Sequence, residues 1–473
     1  MPSLFALSAI LLPAAAYLIY HHVVSQAYRR KLPPGPTPLP IIGNLMDLPP
    51  AEEPEFKHWA THKDIYGPIS SVTIMGMTLI IINDTKIAHE LLDINANKTS
   101  GRPNAVFSTQ LCGYASIILF KSYNEDFRLH RKLLHREFGT KASVLKFRKT
   151  QEVEVAKQLE RVLQEPGAWL KHFRITTAAT VLKMAYGYTV EPNKPDKLVS
   201  LVEKLMREFS QASLPMTWAV DIIPFLQHLP DYIPGTSFKK TARQFKNTLQ
   251  TAAYVPYEFA RRQMAANNHS PSYVSRLLEE YTHGRHDQAG LSLETEEAII
   301  WTAASLYGAA ADTTAITLTA FTLAMVLNPE VQSKAQEEID RVVGTDRLPN
   351  FEDRDELPYV NALIKETLRW WPVGPLGFPH VVNEAFDYDG YLFPQDAIIL
   401  PNIWWFLNNP DIYAAPDSFQ PERFLSPRNE PDPGTYPFGF GRRICPGRFF
   451  ADSSLYLNIA QSLACFRIAK ATD

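Results

Sequence analysis

The chain has 473 residues, 45% hydrophobic and 21% charged, which is ordinary globular usage and excludes a disordered or coiled-coil protein. It carries 47 basic against 50 acidic residues, a net charge of −3, so no charge excess draws it to nucleic acid. Three scattered cysteines, Cys112, Cys445 and Cys465, exclude a disulfide framework and a paired-cysteine zinc site.

Residues 4–24 have no formal charge and would form a helix about 30 Å long, enough to span a bilayer. Arg29, Arg30 and Lys31 follow directly and, by the positive-inside rule, keep the remainder cytosolic. A cleaved leader is disfavoured, because the charges come after the apolar run and no small-residue cleavage site precedes them. The expectation is an uncleaved, single-pass transmembrane anchor. Residues 32–40, opening Leu32-Pro33-Pro34-Gly35-Pro36, lack backbone donors at their prolines and predict a stiff, extended hinge.

Further on, residues 69–82 are rich in Ile, Val and Thr around Gly76 and predict a hairpin. Amphipathic spacing predicts helices over 127–138, 143–164, 197–212 and 239–265. The proline-broken apolar stretch 214–238 reads equally as a loop facing a membrane or pocket and as ordinary loop packing. Residues 298–327 contain a single charge, Asp312, after Glu294, Glu296 and Glu297, which suit a helix N-terminus. Its many hydroxyls and the lack of adjacent Lys or Arg favour a buried core helix over a second membrane span. An acid beside Thr313 in such a helix needs a purpose, because an unpaired buried carboxylate is costly.

Near the C-terminus, Phe438-Gly439-Phe440-Gly441-Arg442-Arg443-Ile444-Cys445-Pro446-Gly447 precedes an apolar segment over 449–463. The glycines predict a tight loop that presents a thiolate at a helix N-terminus, where backbone N–H groups favour negative sulfur. With no second cysteine or suitably spaced histidine, one soft thiolate suits haem iron better than zinc.

This string resembles the haem-binding signature of the cytochrome P450 family, FxxGxRxCxG, a match whose chance frequency is on the order of 10⁻⁵ for this composition. Glu366-Thr367-Leu368-Arg369 resembles the family's ExxR and Pro421-Glu422-Arg423-Phe424 its PERF. The resemblance implies a structural network of Glu366, Arg369 and Arg423 behind the cysteine loop. Residues 309–314 are similar to the oxygen-activating motif, which implies that Asp312 and Thr313 relay protons as catalytic residues.

The fold so implied is mainly α with small β-sheets, residues 41–473 forming one haem-thiolate monooxygenase domain on an endoplasmic reticulum anchor. Its cofactor is heme b, iron protoporphyrin IX, with Cys445 as axial iron ligand. Phe438, Gly439 and Gly447 shape the loop, and Arg443, Arg131 and His380 supply cations for the propionates. With no Rossmann fingerprint or P-loop, electrons must come from outside. The resemblance implies NADPH–cytochrome P450 reductase, with Lys132, Arg136, Arg442 and Arg448 as contacts. Residues 117–120, Tyr307, Ala311 and residues 373–378 stand at pocket positions and are apolar, which favours a neutral lipophilic substrate, with plain core packing as the other reading for about half of them.

Stretches such as 40–45, 375–377 and 439–448 are most similar to fungal secondary-metabolite members like the O-methylsterigmatocystin oxidoreductase. The expected reaction is insertion of one oxygen atom from O2 by hydroxylation or epoxidation. The alternatives are an isomerase, dehydratase or oxidative coupling enzyme, or an impaired, truncated homologue. Three departures bear on this: Phe127 stands where Trp is usual, Ala310 where Gly is usual, and only 28 residues follow Cys445, short of the family's C-terminal hairpin.

Overall fold

A computed structural model describes residues 31–191, 194–214, 217–283 and 291–470, so the anchor expected over residues 4–24 lies outside the described residues. The chain forms two compact units, each drawn from separate stretches of sequence.

The described residues of the first unit are 31–103 together with Leu376–Phe406 and Phe440–Arg443. Its helix α1 (Glu55–Ile65) lies beside a mixed sheet of β1 (Ile69–Ile74), β2 (Met77–Ile82), β3 (His380–Val381) and β6 (Ile398–Pro401). The strand order is β1-β2-β6-β3, and β4 (Phe386–Tyr388) pairs separately with β5 (Tyr391–Phe393). The predicted hairpin is β1 and β2, in register from Ile69↔Ile82 to Ile74↔Met77. Met75 and Gly76 close it, both at positive φ, the geometry of a two-residue turn that matches strand twist.

The proline-rich segment is docked onto this sheet. Ser71 donates from its backbone to the Pro34 carbonyl at 2.8 Å and from its hydroxyl to the Pro33 carbonyl at 2.6 Å. Gly35 permits this approach, since a Cβ there would lie 1.8 Å from the Ser71 carbonyl oxygen.

The second unit holds the long helices: α2 (Glu125–Phe138), α3 (Arg148–Gln164), α4 (Trp169–Tyr186), α5 (Lys197–Ser213), α6 (Phe238–Ala265), α7 (Tyr273–His283), α8 (Leu293–Leu327), α9 (Pro329–Val342), α10 (Pro358–Trp370) and α11 (Arg448–Cys465). Side-chain caps explain several starts. Asn124 accepts from the Phe127 amide at the head of α2, and Asp196 accepts from the Leu198 and Val199 amides at the head of α5. The helix expected from residue 143 becomes regular at Arg148, because the Thr140–Ser143 capping box first closes a separate short turn.

The predicted core helix is α8, and it starts five residues earlier than expected, capped by Ser292. Among the described residues it is the one helix long and apolar enough to cross a membrane. It packs against α2, α4, α5, α6 and α11 of its own unit and buries residues such as Ile299, Leu318 and Phe321 completely, which is the signature of a core helix.

Candidate functional site

The cysteine loop closes through its backbone. The Cys445 amide donates to the Phe438 carbonyl at 2.7 Å, and the Gly439 amide donates to the Tyr436 carbonyl at 3.0 Å with Gly439 at positive φ. Gly447 caps α11, which starts at Arg448, so the sulfur faces the positive end of an 18-residue helix. Burial pushes the Cys445 thiol up, while the Gly447 amide and the Arg131 and Arg448 guanidiniums draw it down. Arg131 reaches this loop from α2, donating to the Ile444 carbonyl at 2.8 Å. Burial lowers its own proton affinity, and the adjacent Cys445 opposes that.

Glu366, Arg369 and Arg423 meet as the motifs suggested, and all three are fully buried. Arg369 grips Glu366 through two nitrogens at 2.7 and 2.9 Å, and Arg423 Nε lies 2.9 Å from the same carboxylate. The guanidiniums also donate to the carbonyls of Leu407, Pro416 and Ala414. No motif marks a fourth member: Glu430 accepts from Arg423 at 2.6 Å, so two buried arginines face two acids.

On α8, Thr313 is exposed and donates to the Ala309 carbonyl at 2.8 Å. Asp312 is half-buried, and burial raises its carboxyl while Arg174 opposes the shift. The helix runs unbroken through Ala310, so the alanine is accommodated without a break in the α-helical pattern. Tyr307 departs from the expected pocket wall. It is fully buried and its hydroxyl donates to the Leu198 carbonyl of α5, which spends its polar end on helix packing.

In the first unit, Arg443 donates to the Ser100 carbonyl at 2.7 Å and Arg102 to those of Phe378 and Pro379 at 3.0 and 2.7 Å. His380 is buried and its Nδ1 donates to the Thr99 carbonyl at 2.8 Å. Burial, reinforced by Arg102 and Arg443, holds the ring neutral, and with Nδ1 protonated its Nε2 is an acceptor until the ring gains a second proton. Arg102 escaped notice because a lone arginine in Gly101-Arg102-Pro103 carries no spacing signal. Burial lowers its proton affinity first and the Arg443 charge second. Two guanidiniums set this close are of the right chemistry for carboxylates.

Gly441 seats the arginine-bearing end of the loop. It sits at φ 48°, its amide donates to Asp93, and a Cβ would lie 2.3 Å from the Leu92 carbonyl oxygen. Gly441→Ala is therefore expected to cost about 1–3 kcal/mol. Chemical denaturation would show it as a lower midpoint, and an unchanged midpoint would contradict the close approach.

The amino-acid sequence matches the Cytochrome P450 family over residues 33–473. It is 46% identical to the multifunctional cytochrome P450 monooxygenase af510 of Aspergillus fumigatus, over 99% of this chain and 88% of the relative. It is 47% identical to the cytochrome P450 monooxygenase claR of Ampulloclitocybe clavipes, over 97% of this chain and 83% of the relative. With the O-methylsterigmatocystin oxidoreductase of Aspergillus flavus it shares 39% identity over 93% of this chain and 83% of the relative. A soft sulfur ligand in a backbone-closed loop fits the iron of the family's cofactor, heme b. With matches of this length, the chain belongs to the cytochrome P450 family, and it is a haem-thiolate monooxygenase that draws electrons from NADPH through a reductase.

Proposed function

We propose that this enzyme inserts one oxygen atom from O2 into a C–H or C=C bond of a lipophilic small molecule in fungal secondary metabolism. When bound, haem supplies the iron at which O2 is reduced. Cys445 would ligate that iron, while Arg443, Arg102 and Arg131 would offer charge to the propionates. His380 joins them once its ring is protonated. Phe438, Gly439 and Gly447 keep the sulfur in place, with Glu366, Arg369 and Arg423 as structural support.

The observation that carries the oxygen-insertion reading is the succession of half-buried Asp312 and exposed Thr313 on one turn of α8. A carboxyl raised toward neutrality can hold a proton, and the adjacent hydroxyl can pass it on. The aromatic set of Tyr114, Phe120 and Phe209, with ring centroids 5.5 to 6.3 Å apart, supports a lipophilic substrate. Residues 4–24 would anchor the enzyme in the endoplasmic reticulum membrane beside NADPH–cytochrome P450 reductase. Lys132 and Arg442, both exposed, remain candidate contacts for the reductase. Arg136 is a weaker one, because its guanidinium already pairs with Glu280.

The test is incubation of yeast microsomes with NADPH, isotopically labelled O2 and a panel of polyketide, indole and terpenoid metabolites. A product heavier by one labelled oxygen atom is expected, and a product of unchanged elemental composition would overturn the reading in favour of an isomerase. Thr313→Ala is expected to lower product formation by about 10²-fold, with peroxide released instead and haem content unchanged.

A further inference from the structure

The turn that carries Asp312 and Thr313 is held from a second helix. Thr177, buried on α4, donates its hydroxyl to the Ala311 carbonyl at 2.6 Å, nearer than the Phe173 and Arg174 carbonyls of its own helix at 3.1 Å each. A threonine inside a helix ordinarily bonds back to its own preceding turn. Its neighbours Thr176 and Thr180 do so, to the His172 and Thr176 carbonyls at 2.8 and 2.7 Å.

The geometry of that contact is specific. The Ala311 carbonyl belongs to the peptide plane that also holds the Asp312 nitrogen, so the bond fixes the orientation of the acid's own backbone. The Thr313 hydroxyl bonds to Ala309 within the same turn. Arg174, whose charge acts on Asp312, lies three residues before Thr177 and therefore on the same face of α4. Helices α4 and α8 pack closely against each other.

We propose that Thr177 is a positioning residue for oxygen activation, fixing through the Ala311 carbonyl the turn of α8 that presents Asp312 and Thr313. This rests on the roles given to Asp312 and Thr313 above. The side chain acts through the helix backbone and needs no contact with substrate or cofactor.

The experiment compares wild type, Thr177→Val, Thr177→Ser and Thr313→Val as complete haem-loaded proteins, with carbon monoxide as the probe. The infrared C–O stretch of the reduced, carbon-monoxide-bound protein reads the polar groups that face the gas. Hydrogen exchange of peptides covering residues 309–316 reads the backbone with no ligand added. In Thr177→Val the stretch is expected to shift or broaden, and exchange to quicken about five- to tenfold, while the red-shifted Soret band stays. Thr177→Ser restores both.

If Thr313→Val moves the stretch and Thr177→Val leaves stretch and exchange as in wild type, the inference is overturned and the oxygen-activation reading stands. If Thr313→Val itself leaves the stretch unmoved, that reading fails and this inference falls with it. Should valine impair haem loading, Thr177→Cys, which keeps the size and weakens the donor, decides between the same outcomes.

Discussion

Cys445→Ser is expected to abolish monooxygenase turnover and to erase the strongly red-shifted Soret band of the reduced, carbon-monoxide-bound protein. Serine keeps the shape of the side chain and removes the soft, readily ionised sulfur that pushes electron density onto iron. The loop should survive the change, because its closure uses the Cys445 amide and the Phe438 carbonyl, which serine retains. Loss of function should therefore come without loss of fold, and circular dichroism with denaturant titration would separate the two. A red-shifted band that persisted in the serine variant would remove Cys445 as the ligand. In the free chain burial pushes this thiol up despite the Gly447 amide, Arg131 and Arg448. Ligation by iron accordingly expels a proton, and mild acid should weaken it.

What the amino-acid sequence disclosed about this site follows from which signals are local. The cysteine loop is legible because glycine spacing and a single cysteine are read within ten residues. Its glycines do stand where the backbone demands them, with Gly439 and Gly441 both at positive φ. The hairpin around Gly76 and the capped amphipathic helices α2 and α5 are legible for the same reason. Helix α4 was missed because it is buried on most sides, from Phe173 through Tyr186, and carries three threonines, so no polar stripe marks a 3.6-residue period. Arg102 and Glu430 were missed for another reason. Arg102 is an isolated charge whose partners, Phe378 and Pro379, arrive only when the chain returns, and Glu430 meets Arg423 at a separation of 7 residues that matches no motif. Tyr307 takes the core-packing role rather than the pocket one, because a position on the right helix says nothing of its face. It lies five residues before Asp312, about 140° round the helix, and so points to α5.

Glu366→Gln is expected to destabilise the protein by about 3–5 kcal/mol and to lower haem incorporation with it. The carboxylate is the one counter-charge shared by two fully buried guanidiniums, at 2.7 Å from Arg369 and 2.9 Å from Arg423. Glutamine keeps the volume and one acceptor oxygen, yet leaves two buried cations balanced by Glu430 alone. Burial, and not distance, decides the size of this effect. Lys334 and Glu422 approach more closely, at 2.6 Å, but are 54% and 39% exposed, and water screens them. Breaking that surface pair with Lys334→Ala is expected to cost no more than about 1 kcal/mol. Arg423→Lys should resemble Glu366→Gln, because a single ammonium cannot at once serve Glu366, Glu430 and the carbonyls of Ala414 and Ser418. Urea unfolding of the three variants, each followed by its carbon-monoxide spectrum, checks the series. Equal losses for Glu366→Gln and Lys334→Ala would show that the network behind the cysteine loop carries no special share of the stability.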